Sequence, residues 1–253
     1  MSIRKISQKV LFALILFFQT KLSSMTSMEV KTDLEALDEN GNTQLLALLN
    51  QPYIDEIEKL KDLIKKGADY NAVTKKKDDW YDGFSALMYC AWNYHEECLK
   101  ELLKQKDINI NLKVSVRRIN RNYNILYIYI FRLAGAKAST INNLLIHGAD
   151  ASVENQKDQS LLFLLYNSGV QYDDNKLLEC AEIAKLLLEY GSDPEIINKD
   201  GAKFFQFGDN EELKVILKRA YLEHKINVKN KLKEIDILPD VLNTLIHEYL
   251  FEK

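Results

Sequence analysis

Only three prolines and nine glycines punctuate the 253 residues of this chain, too few breakers for a protein built of many short strands and tight hairpins. Cysteine is equally scarce. Cys90, Cys98 and Cys180 are odd in number, contain no Cys-x-x-Cys and have no pair of histidines at ligand spacing, which argues against a disulfide framework or a zinc site and makes them small core residues. Neither sign of charge prevails: 34 Lys and Arg against 37 Asp and Glu leave a net charge of -3, so nothing global draws the chain to nucleic acid or an anionic membrane. Signatures of catalysis are missing too. There is no glycine-rich phosphate loop, no Gly-x-Ser-x-Gly elbow and no His-Glu-x-x-His helix, and His95, His147, His224 and His247 stand apart. Neither an enzyme nor a cofactor is expected.

What the chain has is 47% hydrophobic and 28% charged residues, enough to bury a sizeable core, with Leu, Ile, Lys and Glu in helical spacing. Helices should dominate. At the N-terminus Arg4, Lys5 and Lys9 precede an apolar run from Val10 to Phe18, followed by Lys21, Ser23 and Ser24, the layout of a signal peptide over residues 1–27. The run is shorter than the roughly 20 residues of a membrane span, so no span is expected after cleavage. Cleavage after Ser24 or Ser27 makes the protein secreted or exported, a host cell being one destination; a start at Met25 or Met28 would make it cytoplasmic.

One phrase recurs: Lys66-Gly67-Ala68-Asp69, then His147-Gly148-Ala149-Asp150, then Tyr190-Gly191-Ser192-Asp193. Each follows apolar residues spaced by three and four, namely Leu60, Leu63 and Ile64, then Ile141, Leu144 and Leu145, then Ile183, Leu186 and Leu187. A glycine there suits a left-handed helix end, and a shared end implies a shared unit. The fullest copy runs from Gly83 to Lys104. With Ser85, Leu87, Ala91, His95, Leu99, Leu102 and Leu103 it resembles the ankyrin repeat, departing at Ala86 for Pro, Met88 for His and Tyr94 for Gly. A first copy begins near Asp38, a degraded third spans Asn122 to Asp150, a fourth starts at Lys157, and Gly201 to Lys218 has the look of a shortened terminal copy whose charged face should be polar.

The resemblance implies an all-α fold, an ankyrin-repeat solenoid of stacked antiparallel helix pairs with short hairpin-like fingers. Four divergent repeats and a terminal cap would occupy residues 33–220, and a helical segment residues 221–253. It also implies protein binding through the concave face and fingers, by a monomer that takes no nucleic acid. The positions concerned are Asn42, Asn50 and Gln51, then Phe84, Trp92 and Asn93, then Tyr123, Phe131 and Arg132, then Gln159, Asn167 and Ser168. Trp92 suits a binding hot spot or, alternatively, a place beneath the loop carrying Trp80 and Tyr81, itself a candidate contact. His95 is expected to bond the backbone of a neighbouring turn.

Between Ile108 and Ala149 there is no Asp or Glu, while Arg117, Arg118, Arg121 and Arg132 fall there with Tyr123, Tyr127 and Tyr129. Such a patch suits an acidic protein partner, with RNA or no specific role as the alternatives. Finally, Leu238-Pro239 opens a stretch with an apolar stripe at Leu242, Leu245, Ile246 and Tyr249. From residue 235 this resembles the start of an F-box, implying docking on a ubiquitin-ligase adaptor; the alternative is a capping helix folded back on the last repeat.

Overall fold

Apolar residues three and four apart commit the chain to helices, and the helices come in pairs. In chain order these are α1 (Gln44–Leu49) with α2 (Ile57–Lys65), and α3 (Ala86–Asn93) with α4 (Glu96–Leu103). Two short strands, β1 (Val114–Val116) and β2 (Arg121–Tyr123), lead into α5 (Ile125–Phe131) with α6 (Ala138–Ile146). A 3₁₀ turn, Leu161–Leu165, precedes α7 (Asp174–Glu189), and another, Phe204–Gln206, precedes α8 (Glu211–Glu234). The computed structural model describes residues 34–52, 56–76, 81–116, 121–132, 135–154, 160–166, 172–198, 201–206 and 208–234. The signal-peptide-like segment 1–27, Trp80, Arg117, Arg118, Gln159, Asn167, Ser168 and the F-box-like stretch with Leu238, Pro239, Leu242, Leu245, Ile246 and Tyr249 lie outside the described residues.

The first helix of each pair starts on a side-chain cap. Thr43 Oγ1 accepts from the Leu46 amide at 3.4 Å, Ser85 Oγ from Met88 at 3.4 Å and Asn124 Oδ1 from Tyr127 at 2.8 Å. At α3 the start is therefore marked by the Ser85 cap, with Ala86 standing where the family has proline. The second helices share an ending. Gly67, Gly148 and Gly191 all have positive φ, and in each case the next residue's amide returns to a carbonyl five back, as Ala68 does to Leu63, Ala149 to Leu144 and Ser192 to Leu187. The aspartate that follows builds the turn: Asp69, Asp150 and Asp193 each accept the amide two residues on, at 2.8, 2.9 and 2.8 Å. The recurring phrase is therefore a helix end and an Asx turn in one.

Pairs stack on pairs. α1, α3, α5 and the turn Leu161–Leu165 form one row, and α2, α4, α6, α7 and α8 the other, each packed on its neighbour. A single apolar core runs the whole length, from Leu34 to Tyr221. Leu87 and Leu102 are buried within it, a gain of about 1.5–3 kcal/mol for each such side chain. Between pairs the chain makes the expected fingers. β1 and β2 pair antiparallel with Val114 opposite Tyr123, and single bridges join Val73 to Ser85, Glu154 to Ser160 and Ile197 to Lys203. Side-chain amides tie each finger base to the next. Asn71 donates to Asp107 O and accepts from Asn109 N, and one repeat later Asn111 donates to Gly148 O and accepts from Asp150 N, all at 2.8 Å.

Three details correct the sequence reading. The third copy keeps both helices and a paired finger, so its degradation is of sequence and not of structure. The terminal copy is shortened only in its first helix, the turn Phe204–Gln206, while α8 runs 24 residues, unbroken across the boundary expected at 220. Its outer face is less uniformly polar than expected, because Val215, Leu222 and Ile226 are exposed there beside Glu211, Lys218 and Arg219.

Candidate functional site

Where the α3–α4 turn needs a left-handed residue, the chain carries Tyr94 at φ 59° and ψ 35°, the one non-glycine with positive φ among the described residues. A side chain is strained there by about 1 kcal/mol or more, so the surroundings must hold it. They do. The Tyr94 ring stands edge-on to Tyr129 with centroids 5.9 Å apart, and its hydroxyl donates to the carbonyl oxygen of Arg132 in the next repeat. A Cβ at Gly135 would lie 2.6 Å from that ring, so the chain can pass over Tyr94 only as glycine.

This contact delivers Arg132, immediately after α5, to Trp92 on the last turn of α3. The guanidinium carbon lies 4.7 Å from the Trp92 ring centre and 5.6 Å from that of Tyr94. On the other side Tyr81 meets Trp92 edge-on at 5.9 Å and stacks on Tyr89 at 5.7 Å. A strip Tyr81–Trp92–Arg132 thus crosses two repeats. Trp92 is half-buried and Arg132 exposed, and no carboxylate among the described residues pairs with the guanidinium. Of the two sequence alternatives for Trp92, packing against the loop carrying Tyr81 is what the geometry shows. Each cation–ring contact contributes about 0.5–1 kcal/mol when exposed, so the stack fixes the orientation of Arg132 more than it stabilises the fold. With its plane pinned, the fork of N–H donors is presented ready-made.

Other candidate contacts are placed differently. Phe84 is 1% exposed and packs against Tyr81 and Tyr89, so it is core and not contact surface. Asn42 is buried as well, its Oδ1 accepting from Thr74 Oγ1 at 2.9 Å and Tyr89 OH at 3.1 Å. Asn93 donates to Leu49 O at 2.9 Å, tying α3 to α1. Tyr129 is buried, which pushes its hydroxyl up to about 12, and it belongs to the interior and not to the basic patch. Arg121 and Tyr123 sit on β2, while Phe131 is exposed and stacks on Tyr127 at 6.0 Å. Lys137, within the acid-free stretch 108–149, pairs with Glu96 at 2.7 Å. Sequence reasoning missed Tyr94 as a site residue, although its signal was there: a tyrosine where the repeat has glycine.

His95 lies where the resemblance put it, its Nε2 2.8 Å from Gln51 O. Among the described residues no helix is long and apolar enough to cross a membrane, and no cluster of side chains could hold a metal ion.

Comparison with known proteins accords with this geometry. The family model described as "Ankyrin repeat" matches residues 82–113, the stretch from the end of the finger loop through α3 and α4. The ankyrin repeat domain of Bcl-3 superposes with a TM-score of 0.54 at 20% identity, over 79% of this chain and 78% of that one. An ankyrin repeat domain from Acinetobacter baumannii AYE gives 0.54 and 20% over 74% and 86%, and the ankyrin repeat protein EF0377 gives 0.54 and 20% over 80% and 91%. The chain has the ankyrin-repeat fold. It is also 33% identical over 87 residues to protein lin-12 of Caenorhabditis elegans, a match covering 34% of this chain and 6% of that protein's length. Ankyrin repeats are in general protein–protein interaction modules, and the fold is typically a binding scaffold without enzymatic activity.

Proposed function

We propose that this ankyrin array is a protein-binding scaffold whose contact face centres on Trp92 and Arg132 and whose partner presents an acidic segment. The observation that carries the reading is the guanidinium laid over two rings, exposed and unpaired among the described residues. Arginine and tryptophan are the residues most enriched where interface energy concentrates, and a pinned guanidinium loses little freedom on meeting a carboxylate. The absence of Asp and Glu from 108–149 supports it, since no carboxylate of that stretch competes for Arg132.

Export through the segment with Arg4, Lys5, Lys9 and the run Val10 to Phe18 is part of the proposal, as is action as a monomer. A narrower reading, an adaptor bringing a bound target to a ubiquitin ligase, is supported by Leu238-Pro239 and the stripe after it. Pull-down from eukaryotic lysate with and without residues 235–253 tests the narrower reading.

The main reading is tested with a fluorescein-labelled peptide of alternating Glu and Tyr and, in parallel, poly-uridine RNA. W92A and R132E should each weaken peptide binding about tenfold, a difference of ~1.4 kcal/mol, with affinity falling as salt rises. Equal binding by wild type and both variants, or preference for the RNA, would overturn it.

A further inference from the structure

Where α7 and α8 pack along each other they leave a cavity of about 270 Å³. Pockets that hold drug-sized ligands run from roughly 300 to 1,000 Å³, so this one suits a molecule of amino-acid size. Its α8 wall carries His224, Asn227, Val228 and Lys231, spaced by three, four and seven residues and therefore on one helical face; its α7 wall carries Lys185 and Glu189, one turn apart. Buried Ala220 and half-buried Val228 give it an apolar part.

The charges in the cavity divide into two kinds. Lys185 is answered within the protein, by Glu223 at 3.2 Å and Glu182 at 3.7 Å. Glu189 and Lys231 are not: on opposite walls of the cavity, they form no ion pair with each other or with any other described residue. His224 lies within reach of both. Burial first, and then the Lys231 ammonium, hold its imidazole below the ordinary 6.5, while Glu189 pulls the other way. The ring is thus neutral at pH 7, and its nitrogens and the Asn227 amide have no hydrogen-bond partner among the described residues.

A simple anion drawn to Lys231 would meet the Glu189 carboxylate, and a simple cation drawn to Glu189 would meet the Lys231 ammonium. A molecule bearing both charges answers both walls and leaves neither repelled. We propose that the cavity between α7 and α8 binds a small zwitterion, its ammonium on Glu189, its carboxylate on Lys231 and Asn227, and its short aliphatic body on Val228 and Ala220. Neutral His224, able to donate from one ring nitrogen and accept at the other, sits between the two charges. This site lies in the row of second helices at the last repeats, so it works independently of the partner proposed for Trp92 and Arg132.

Titration of the full chain with L-valine, following the His224 ring proton by NMR, tests this, with acetate and methylammonium as the two half-molecules. L-valine should shift the resonance saturably, and each half-molecule should bind at least tenfold more weakly. E189Q and K231M should each weaken L-valine about tenfold, a difference of ~1.4 kcal/mol. Both side chains are exposed, so the thermal midpoint should not move in either variant and a loss of binding reports the site and not the fold. No saturable shift with L-valine would overturn the proposal. Acetate matching L-valine, with E189Q harmless, would make this an anion site; methylammonium matching it, with K231M harmless, a cation site; either result would overturn the zwitterion.

Discussion

His95 Nε2 lies 2.8 Å from the main-chain oxygen of Gln51, joining the turn between α3 and α4 to the end of α1 in the preceding repeat. A carbonyl only accepts, so the ring nitrogen donates and its tautomer is fixed by the partner. His95 is 2% exposed while Gln51 is exposed, so removing the ring costs its packing together with the bond to the Gln51 oxygen. We expect His95→Ala to cost about 1–3 kcal/mol, and His95→Gln, which retains a donor of similar reach, to cost less. Urea titration is the measurement: the midpoint should fall while the slope stays unchanged, since no change in exposed surface on unfolding is anticipated.

Tyr94 offers a sharper comparison, because its backbone and its ring make opposite demands. Tyr94→Gly relieves the left-handed strain but discards the contacts with Tyr129, Arg132 and Gly135; Tyr94→Ala discards the same contacts and keeps most of the strain. Alanine should therefore be the more damaging of the two, by about 1 kcal/mol. Tyr94→Phe removes only the hydroxyl that reaches Arg132 O, so it should cost about 1 kcal/mol and loosen Arg132 over Trp92. Thermal unfolding orders the three variants, and an alanine variant more stable than the glycine one would contradict the assigned backbone conformation.

How much of this was legible beforehand follows the range of the forces involved. Helix ends, caps and the Gly-Ala-Asp turn depend on neighbours within a few residues, and they stand in the sequence where the repeats predict them. His95 was legible because a repeat that recurs carries its own long-range bond with it. What the sequence hides is burial decided by stacking: Phe84 and Asn42 occupy positions that often face a partner, yet here Tyr81, Tyr89 and Thr74 close over them. The exposed stripe of α8 was hidden for a related reason. Its apolar residues are interleaved with Lys and Glu, so composition reads as a polar cap, and only the packing of the other face shows which side remains.

Glu195 predicts an acid sensitivity at the last repeat. Its carboxylate accepts from Tyr221 OH at 2.7 Å and pairs with Lys203 at 2.5 Å and Lys225 at 3.3 Å, linking the terminal finger to α8. Burial alone would raise its pKa, but the hydrogen bonds from Lys203 and Tyr221 outweigh that and hold it below its ordinary 4.5. A carboxylate depressed on folding contributes stability in full above its unfolded value, and that contribution disappears as pH falls through the folded one. Its side chain is 25% exposed, so with solvent screening the contribution is about 1–2 kcal/mol. Unfolding of wild type and Glu195→Gln should differ by that amount at neutral pH and converge as the pH falls from 4.5 through the lowered folded value.

The three cysteines supply a test of the core itself. Cys90, Cys98 and Cys180 are free and buried, at 0%, 1% and 0% exposure. Burial pushes the Cys180 thiol up to about 12, with Lys176 pulling the other way and losing. At pH 8 only about one part in ten thousand would be thiolate, the form that attacks a disulfide reagent, and the reagent must also reach it. Labelling of the folded chain with an aromatic disulfide should therefore be slow at Cys180, while all three thiols react promptly in urea. Whatever slow reaction is seen in the native protein should track opening of α7 from α6 and α8, so it should speed up in variants that weaken that packing, such as Leu187→Ala. Prompt native labelling at Cys180 would mean that α7 is not packed as the stacked pairs require.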